Sequence, residues 1–273
     1  SFPTRRSSDL KWLLVSMLSV LGSAGAMAAE QSHFENFITR DGAQLKDGNR
    51  VFRFAGIHAP ELHRIEDDAR GVCKADPRGW GQYFKWPTAE EQENWIRAMV
   101  QTGAKAQRVY VLSVQQENDV ACGRATHILA PETPDGMPRL NEEAMKVYDN
   151  MIAQADKQGL RLILPFIDHW WWWGGREQLA AFYHEKPEDF YRTDSKTFKA
   201  YLDVIRQVTT RTNTVTGRAY FDEKAIMAWE TGNELEDTNA DFLKQTAAWI
   251  RKWAPHQLIV DGTYKKINRS EEH

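Results

Sequence analysis

Apolar positions along the chain alternate between short unbroken runs and stripes at helical spacing. Residues 51–57, VFRFAGI, form a first apolar stretch and predict a strand. From Thr88 the spacing turns helical: Trp95, Ile96, Met99 and Val100 share a face, Thr88 and Glu91 carry a capping-box signature, and Gly103 closes the element. Residues 106–114, rich in β-branched side chains, predict a second strand. A second helix opens at Asn141, places Ala144, Met145, Tyr148, Met151, Ile152 and Ala155 on one stripe, and stops at Gly159. Residues 160–167 are almost all apolar and predict a third strand. Ser195 caps a third helix bearing Phe198, Tyr201, Leu202, Ile205 and Val208. A fourth strand covers 225–229. Thr238 is expected to cap a fourth helix with Phe242, Leu243, Thr246, Trp249, Ile250 and Trp253, ending before Pro255, and 257–260 is the fifth strand.

Strands that alternate with helices imply right-handed βαβ units and a parallel sheet, and strands apolar throughout suit a sheet buried on both faces. An open doubly wound sheet that binds nucleotides needs a Gly-rich fingerprint after its first strand, and Gly56-Ile-His-Ala-Pro offers none. Polar and aromatic residues instead follow every strand: His58, Glu61 and His63; Gln115 and Gln116; Asp168 to Trp173; Asn233 and Glu234; Asp261 and Tyr264. In a (β/α)8 TIM barrel all of these meet on the C-terminal rim, where active sites lie. The expected fold is therefore α/β, a (β/α)8 barrel represented by its first five or so βα units.

The ends read differently from the middle. Residues 11–28 predict a secretory signal: Lys11 is the positive start, an apolar stretch follows, and Ala26-Met27-Ala28 is a small-residue cleavage site, so mature protein begins near Ala29. The preceding SFPTRRSSDL, residues 1–10, resembles a translated sequencing adapter, and 269–273, RSEEH, resembles that adapter read from the other strand. The expected organisation is thus a non-native extension at 1–10, a signal at 11–28, a partial barrel catalytic domain at 29–268 and a non-native end at 269–273. Secretion or periplasmic export follows, with no membrane partner once the signal is removed. Cys73 and Cys122 suit an oxidising compartment, which leaves a bridge between them open beside free thiols. A net charge of −3 without a basic run removes the electrostatic case for nucleic acid. The compositional outlier is tryptophan, 11 residues with four in succession, which points to a large core, a flat ligand to stack on, or both.

The sharpest segment is 225–235, AIMAWETGNEL. A strand ending near Trp229, followed by a turn at Gly232, would let Asn233 and Glu234 both face the barrel mouth. A carboxylic acid beside apolar indoles has its ionised form disfavoured, which is what a general acid needs to protonate a glycosidic oxygen. Taken alone, Glu234 could be a solvated loop carboxylate or a helix N-terminal residue. Together with VFRFAGIHAPEL at 51–62, AKAQRVYVLSV at 104–114 and LRLILPFIDHWWWWGG at 160–175, however, the segment resembles glycoside hydrolase family 5, a family of retaining (β/α)8 barrels, and its β-mannanase branch most. The resemblance spans about 34–264 and centres on W-E-x-x-N-E. It implies Glu234 as acid/base, Asn233 as the residue that holds the sugar 2-hydroxyl, and Arg108 as the residue that positions the nucleophile's carboxylate. The family's nucleophile is a second Glu on a seventh strand, absent from these five units, so the chain by itself is expected to be inactive.

Sugar rings present apolar faces that stack on indole, so Trp170 and Trp171 are expected nearest the cleft, with the other Trp residues beneath the rim. His169 ends the third strand as a candidate subsite residue, with a satisfied structural pair as the other reading. His58 and Glu61 are expected to face distal subsites. They are not expected to hold a metal with His63, because Pro60 prevents the helical spacing such a site needs. No cofactor is expected. The implied partner is a β-1,4-linked polysaccharide or oligosaccharide met by a monomer. A cellulase of the same family and a non-catalytic glycan-binding barrel remain open alternatives.

Overall fold

A computed structural model describes residues 29–66, 84–117 and 119–264. The expected extension, the signal, Cys73 and the end at 269–273 lie outside these residues.

The described chain opens on an antiparallel three-stranded sheet, β1 (Ile38–Asp41), β2 (Gln44–Asp47) and β3 (Arg50–Phe52). The Asp41-Gly42 and Asp47-Gly48 turns between its strands put both glycines at positive φ, 58° and 57°. A two-stranded ribbon follows, β4 (Ile65–Glu66) with β5 (Phe84–Lys85), and then α1 (Ala89–Gln101). The main sheet begins with β6 (Ala106–Arg108). Next come α2 (Asp119–Cys122), the ribbon β7 (Ile128–Leu129) with β8 (Arg139–Leu140), and α3 (Glu142–Gln158). After β9 (Arg161–Pro165) the order is α4 (Arg176–Ala181), α5 (Lys196–Thr209), β10 (Ile226–Glu230), α6 (Ala240–Trp253) and β11 (Leu258–Val260).

Strands β6, β9, β10 and β11 form one parallel sheet in the order β11-β10-β9-β6, each neighbour reached through a helix. A fifth barrel position is supplied by residues 55–59, bonded alongside β6 through Lys105 N–H to the Ala55 carbonyl (3.2 Å) and Ala59 N–H to the Arg108 carbonyl (3.0 Å). Gly56 permits that approach, since a Cβ there would lie 1.9 Å from the Ala106 carbonyl oxygen. The apolar stretch at 51–57 is therefore not one strand. Its first part pairs in β3 and the rest crosses to the barrel.

The helix ends follow local chemistry. Thr88 and Glu91 complete the capping box of α1, Asn141 caps α3 and Gly159 ends it at φ 79°, and Ser195 caps α5. The exception is α6, capped by Asn239, whose side chain accepts the Phe242 N–H; Thr238 instead meets the Thr263 hydroxyl at 2.9 Å. The core lies between sheet and helices. Leu162, Leu164 and Ile226 from the strands meet Tyr148, Ile152, Phe198, Tyr201, Ile205 and Phe242 from the helices, and Trp229 stacks on Phe166 at 5.2 Å. Full burial of each large apolar side chain contributes roughly 1.5–3 kcal/mol, so the helix faces are what fix the sheet.

Candidate active site

The C-terminal ends of β6, β9 and β10 converge. Past β10 the backbone keeps its pairing: Asn233 N–H donates to the Ile167 carbonyl (2.8 Å), His169 N–H to the Asn233 carbonyl (3.1 Å), and Leu235 N–H to the Gly262 carbonyl (3.0 Å). Gly232 serves here as a point of close approach, because a Cβ would stand 2.7 Å from the Ile167 carbonyl oxygen. The left-handed residue is Glu234 itself, at φ 51°. That single inverted residue lets two successive side chains leave on the same side, the role sequence reading gives to Gly232.

Asn233 is buried, with both amide hydrogens and one Oδ1 lone pair engaged, which leaves the second lone pair to accept from a ligand. Its Oδ1 accepts from Arg108 Nη2 at 3.1 Å, and its Nδ2 donates to Asp168 Oδ1 at 3.0 Å and to the Tyr110 hydroxyl at 3.2 Å. Arginine only donates and an ionised carboxylate only accepts, so the amide has one orientation. Tyr110 in turn donates to Asp168 Oδ2 at 2.8 Å. Burial pushes the Asp168 carboxyl up to about 6, against the hydrogen bonds from Asn233 and Tyr110 that favour its charge. The Tyr110 phenol lies well above its ordinary range, first through burial and then through the Asp168 carboxylate. Arg108 also donates through Nε and Nη2 to the two carboxylate oxygens of Glu230 at 2.6 and 2.9 Å. Tyr110 and Glu230 belong to this constellation although the sequence assigned a role to neither, and Asp168, expected only as a rim residue, is its hub. Glu230 stands inside the W-E-x-x-N-E motif, the one signal that marks it.

Glu234 is exposed, and its Oε2 accepts the Trp170 indole N–H at 2.5 Å. The apolar setting expected from the tryptophan run is thus not what its carboxylate meets. The run divides. Trp173 is buried, donates its indole N–H to the Val111 carbonyl at 3.0 Å and joins Phe84, Trp172 and Tyr110 in a small aromatic core. Trp170 and Trp171 are half-buried. Gly174, at φ 92°, lets the loop pass within 2.1 Å (Cβ to carbonyl oxygen) of Val114. His169 is buried among polar partners: Nδ1 lies 2.9 Å from the Tyr191 hydroxyl and accepts from Arg176 Nε at 3.1 Å.

His58, Glu61 and His63 diverge. The exposed His58 ring meets the Arg108 carbonyl through Nδ1 at 3.1 Å and lies 6.1 Å from the Tyr110 ring. The Glu61 carboxylate accepts the Glu66 N–H at 3.1 Å, and Glu61 lines an apolar groove along α1 with Ile57, Trp95 and Met99. His63, expected on the rim, is fully buried, with Nε2 on the Tyr110 carbonyl and Nδ1 on His127 Nε2, both at 2.9 Å. His127 Nδ1 in turn faces the Ser113 hydroxyl at 2.8 Å. Beside them the buried Arg64 donates to the Ala125 and Trp173 carbonyls, each at 2.7 Å, and lies over the Phe84 ring. These bonds fasten the loops after 55–59, β6 and β9 into one wall. Cys122 is disulfide-bonded.

The chain matches the family described as GH family 5 beta-mannosidase-like over residues 91–272. It is 36% identical over 131 residues to mannan endo-1,4-beta-mannosidase 5 of Solanum lycopersicum, covering 45% of this chain and 31% of that protein. It is 26% identical over 170 residues to mannan endo-1,4-beta-mannosidase F of Aspergillus clavatus, covering 59% and 36%. In fold it is similar to the endo-1,4-beta-mannanase of Rhizomucor miehei, with a TM-score of 0.68 at 18% identity over 87% of this chain and 64% of that one. It is likewise similar to the endo-beta-1,4-mannanase of Thermotoga petrophila, with a TM-score of 0.64 at 20% identity over 83% and 46%. The chain spans about a third of the length of the curated relatives it matches, and its parallel sheet is part of the barrel seen in the solved structures.

Proposed function

The chain belongs to the GH family 5 beta-mannosidase-like family, and on that premise we propose that it is the N-terminal part of an exported endo-β-1,4-mannanase with Glu234 as its acid/base. The observation that carries this reading is the pairing at the end of β10: an exposed Glu234 carboxyl next to an Asn233 locked by Arg108, Asp168 and Tyr110. A fixed amide beside a mobile proton suits a site that must grip a sugar hydroxyl while it protonates the neighbouring glycosidic oxygen. In the proposed sequence Glu234 gives its proton to that oxygen as the bond to the anomeric carbon breaks. It then takes a proton from the water that attacks the glycosyl intermediate.

Retaining hydrolysis needs a second carboxyl about 5 Å away. Glu230 is committed to Arg108, and Asp168 to Asn233 and Tyr110. The nucleophile is therefore assigned to a barrel strand beyond these five, and the 273-residue chain alone is proposed to be inactive. The bonds to Glu230 and Asn233 use Nε and Nη2 of Arg108, which leaves Nη1 to orient that nucleophile. His58 and Trp171 are proposed to border the sugar-binding cleft. The disulfide at Cys122 supports export, since such bonds persist in oxidising compartments.

The test is reducing-end release from β-1,4-mannan and from carboxymethylcellulose by the full-length gene product and its E234Q variant. Turnover on mannan that E234Q abolishes supports the reading. Preference for the cellulose substrate would reassign it as a glucanase, and oligosaccharide binding without turnover would leave a glycan-binding barrel.

A further inference from the structure

We propose that Trp170 is the positioning residue for Glu234: its indole N–H occupies Oε2 and so confines the transferable proton to Oε1. The catalytic meaning of this inference rests on Glu234 being the proton donor, whereas the contact itself does not. An indole nitrogen can only donate. With Oε2 facing that N–H at 2.5 Å, a hydroxyl Oε2 would be a poorer acceptor for it than a carbonyl Oε2, so the neutral acid favours its hydrogen on Oε1. When Oε1 gives that hydrogen to a glycosidic oxygen, the carboxylate left behind keeps a charge-assisted bond on Oε2. The proton then returns to Oε1 from water. One oxygen is the anchor and the other does the chemistry.

The indole is held for this role. Trp170 follows directly on Asp168 and His169, and its backbone N–H bonds to the Asp168 carboxylate that also clamps Asn233. Its ring packs edge-on against the buried His169 at 4.8 Å and 76°. Gly175 lets the loop close behind it, since a Cβ there would stand 2.4 Å from the Trp170 carbonyl oxygen. On the other side Glu234 adopts φ 51°, a conformation that an L side chain takes only when its surroundings impose it. Asp168 thus links the two neighbours, anchoring Trp170 through the backbone and Asn233 through the side chain. A tryptophan restrained in this way is a donor first. The sequence expectation made it a stacking floor.

The test uses the full 273-residue chain and needs no substrate. In ¹⁵N-labelled protein, the Trp170 indole cross-peak is identified by its loss in W170F, or in W170Y should the first variant not fold. The peak is expected to shift as pH is lowered from 8 to 3, to become pH-independent in E234Q, and to keep titrating in D168N. A peak that does not move in the wild-type chain, or that moves equally in E234Q, overturns the proposal. If the titration behaves as expected and the full-length protein hydrolyses nothing, the hydrolase reading fails and the positioning contact stands.

Discussion

Arg108 grips Glu230 through two parallel bonds, Nε to Oε2 at 2.6 Å and Nη2 to Oε1 at 2.9 Å, while the same Nη2 reaches Asn233. The carboxylate side chain is 9% exposed and the guanidinium 26%. The pair is therefore largely desolvated, and each partner depends on the other for compensation. The fork geometry also fixes the plane in which Asn233 presents its amide.

Removal of one partner strands the other. R108A is expected to destabilise the chain by about 2–4 kcal/mol, somewhat below the cost of breaking a fully buried pair because Arg108 keeps some solvent. R108K should recover only part of this, since an ammonium cannot make both parallel bonds. Urea unfolding of R108A, E230Q and the double variant gives the coupling directly. A double variant whose cost equals the sum of the single ones would show that the pair contributes nothing of its own.

Asp168 makes a prediction in pH. Burial raises its folded carboxyl from 3.8 to about 6, so between these values the folded state binds more proton than the unfolded one. Linkage then makes this group's contribution fall as pH rises from about 4 to about 6, by up to about 3 kcal/mol. D168N removes the dependence. Unfolding midpoints at pH 4, 5, 6 and 7 should show the variant gaining on the wild type across that window, and parallel curves would refute the assignment.

How far the sequence carried depended on whether the signal was local. Thr88 with Glu91, Asn141 with Gly159, and Ser195 mark helix ends because a cap is made by residues three or four apart. The apolar run at 51–57 misled because two sheets share it, and only the Asp41-Gly42 and Asp47-Gly48 turns announce the antiparallel one. In the site, Asn233 and Glu234 stood out from their motif. That Arg108 would meet Glu230, or Asn233 meet Asp168 and Tyr110, depends on contacts across 65 to 123 positions, which no local pattern encodes. His63 failed as a rim residue for the same reason, since its partner His127 lies 64 positions away.

The buried histidine pair predicts the opposite pH slope. His63 Nε2 faces a carbonyl and must carry hydrogen, so Nδ1 accepts from His127 Nε2–H, and His127 Nδ1 accepts from Ser113. A proton added to His63 Nδ1 sets two donors face to face. Burial lowers His63 from 6.5 to about 4, so its stabilisation, present above pH 6.5, is lost as pH falls toward 4 and amounts to about 3 kcal/mol. H63Q should flatten this acid limb in urea titrations. A limb of undiminished steepness in H63Q would place the acid-sensitive group elsewhere.

The tryptophan run offers a last prediction, because adjacent residues of one type are assigned different work. Trp173 is 1% exposed, packs on Phe84 at 5.0 Å and on Tyr110 at 4.9 Å, and lies under the Arg64 guanidinium. Truncation to alanine there removes a large buried side chain and leaves the Val111 carbonyl unmet, which should cost about 3–5 kcal/mol. W170F keeps a ring in place and gives up one hydrogen bond at the surface, so its cost should be about 1 kcal/mol or less. The two variants therefore separate stability from function: W173A should lower the unfolding midpoint well below that of W170F, whereas only W170F should abolish the Glu234-dependent indole signal in a chain that still folds. If W170F is as destabilising as W173A, Trp170 is a core residue and its bond to Glu234 is incidental to packing.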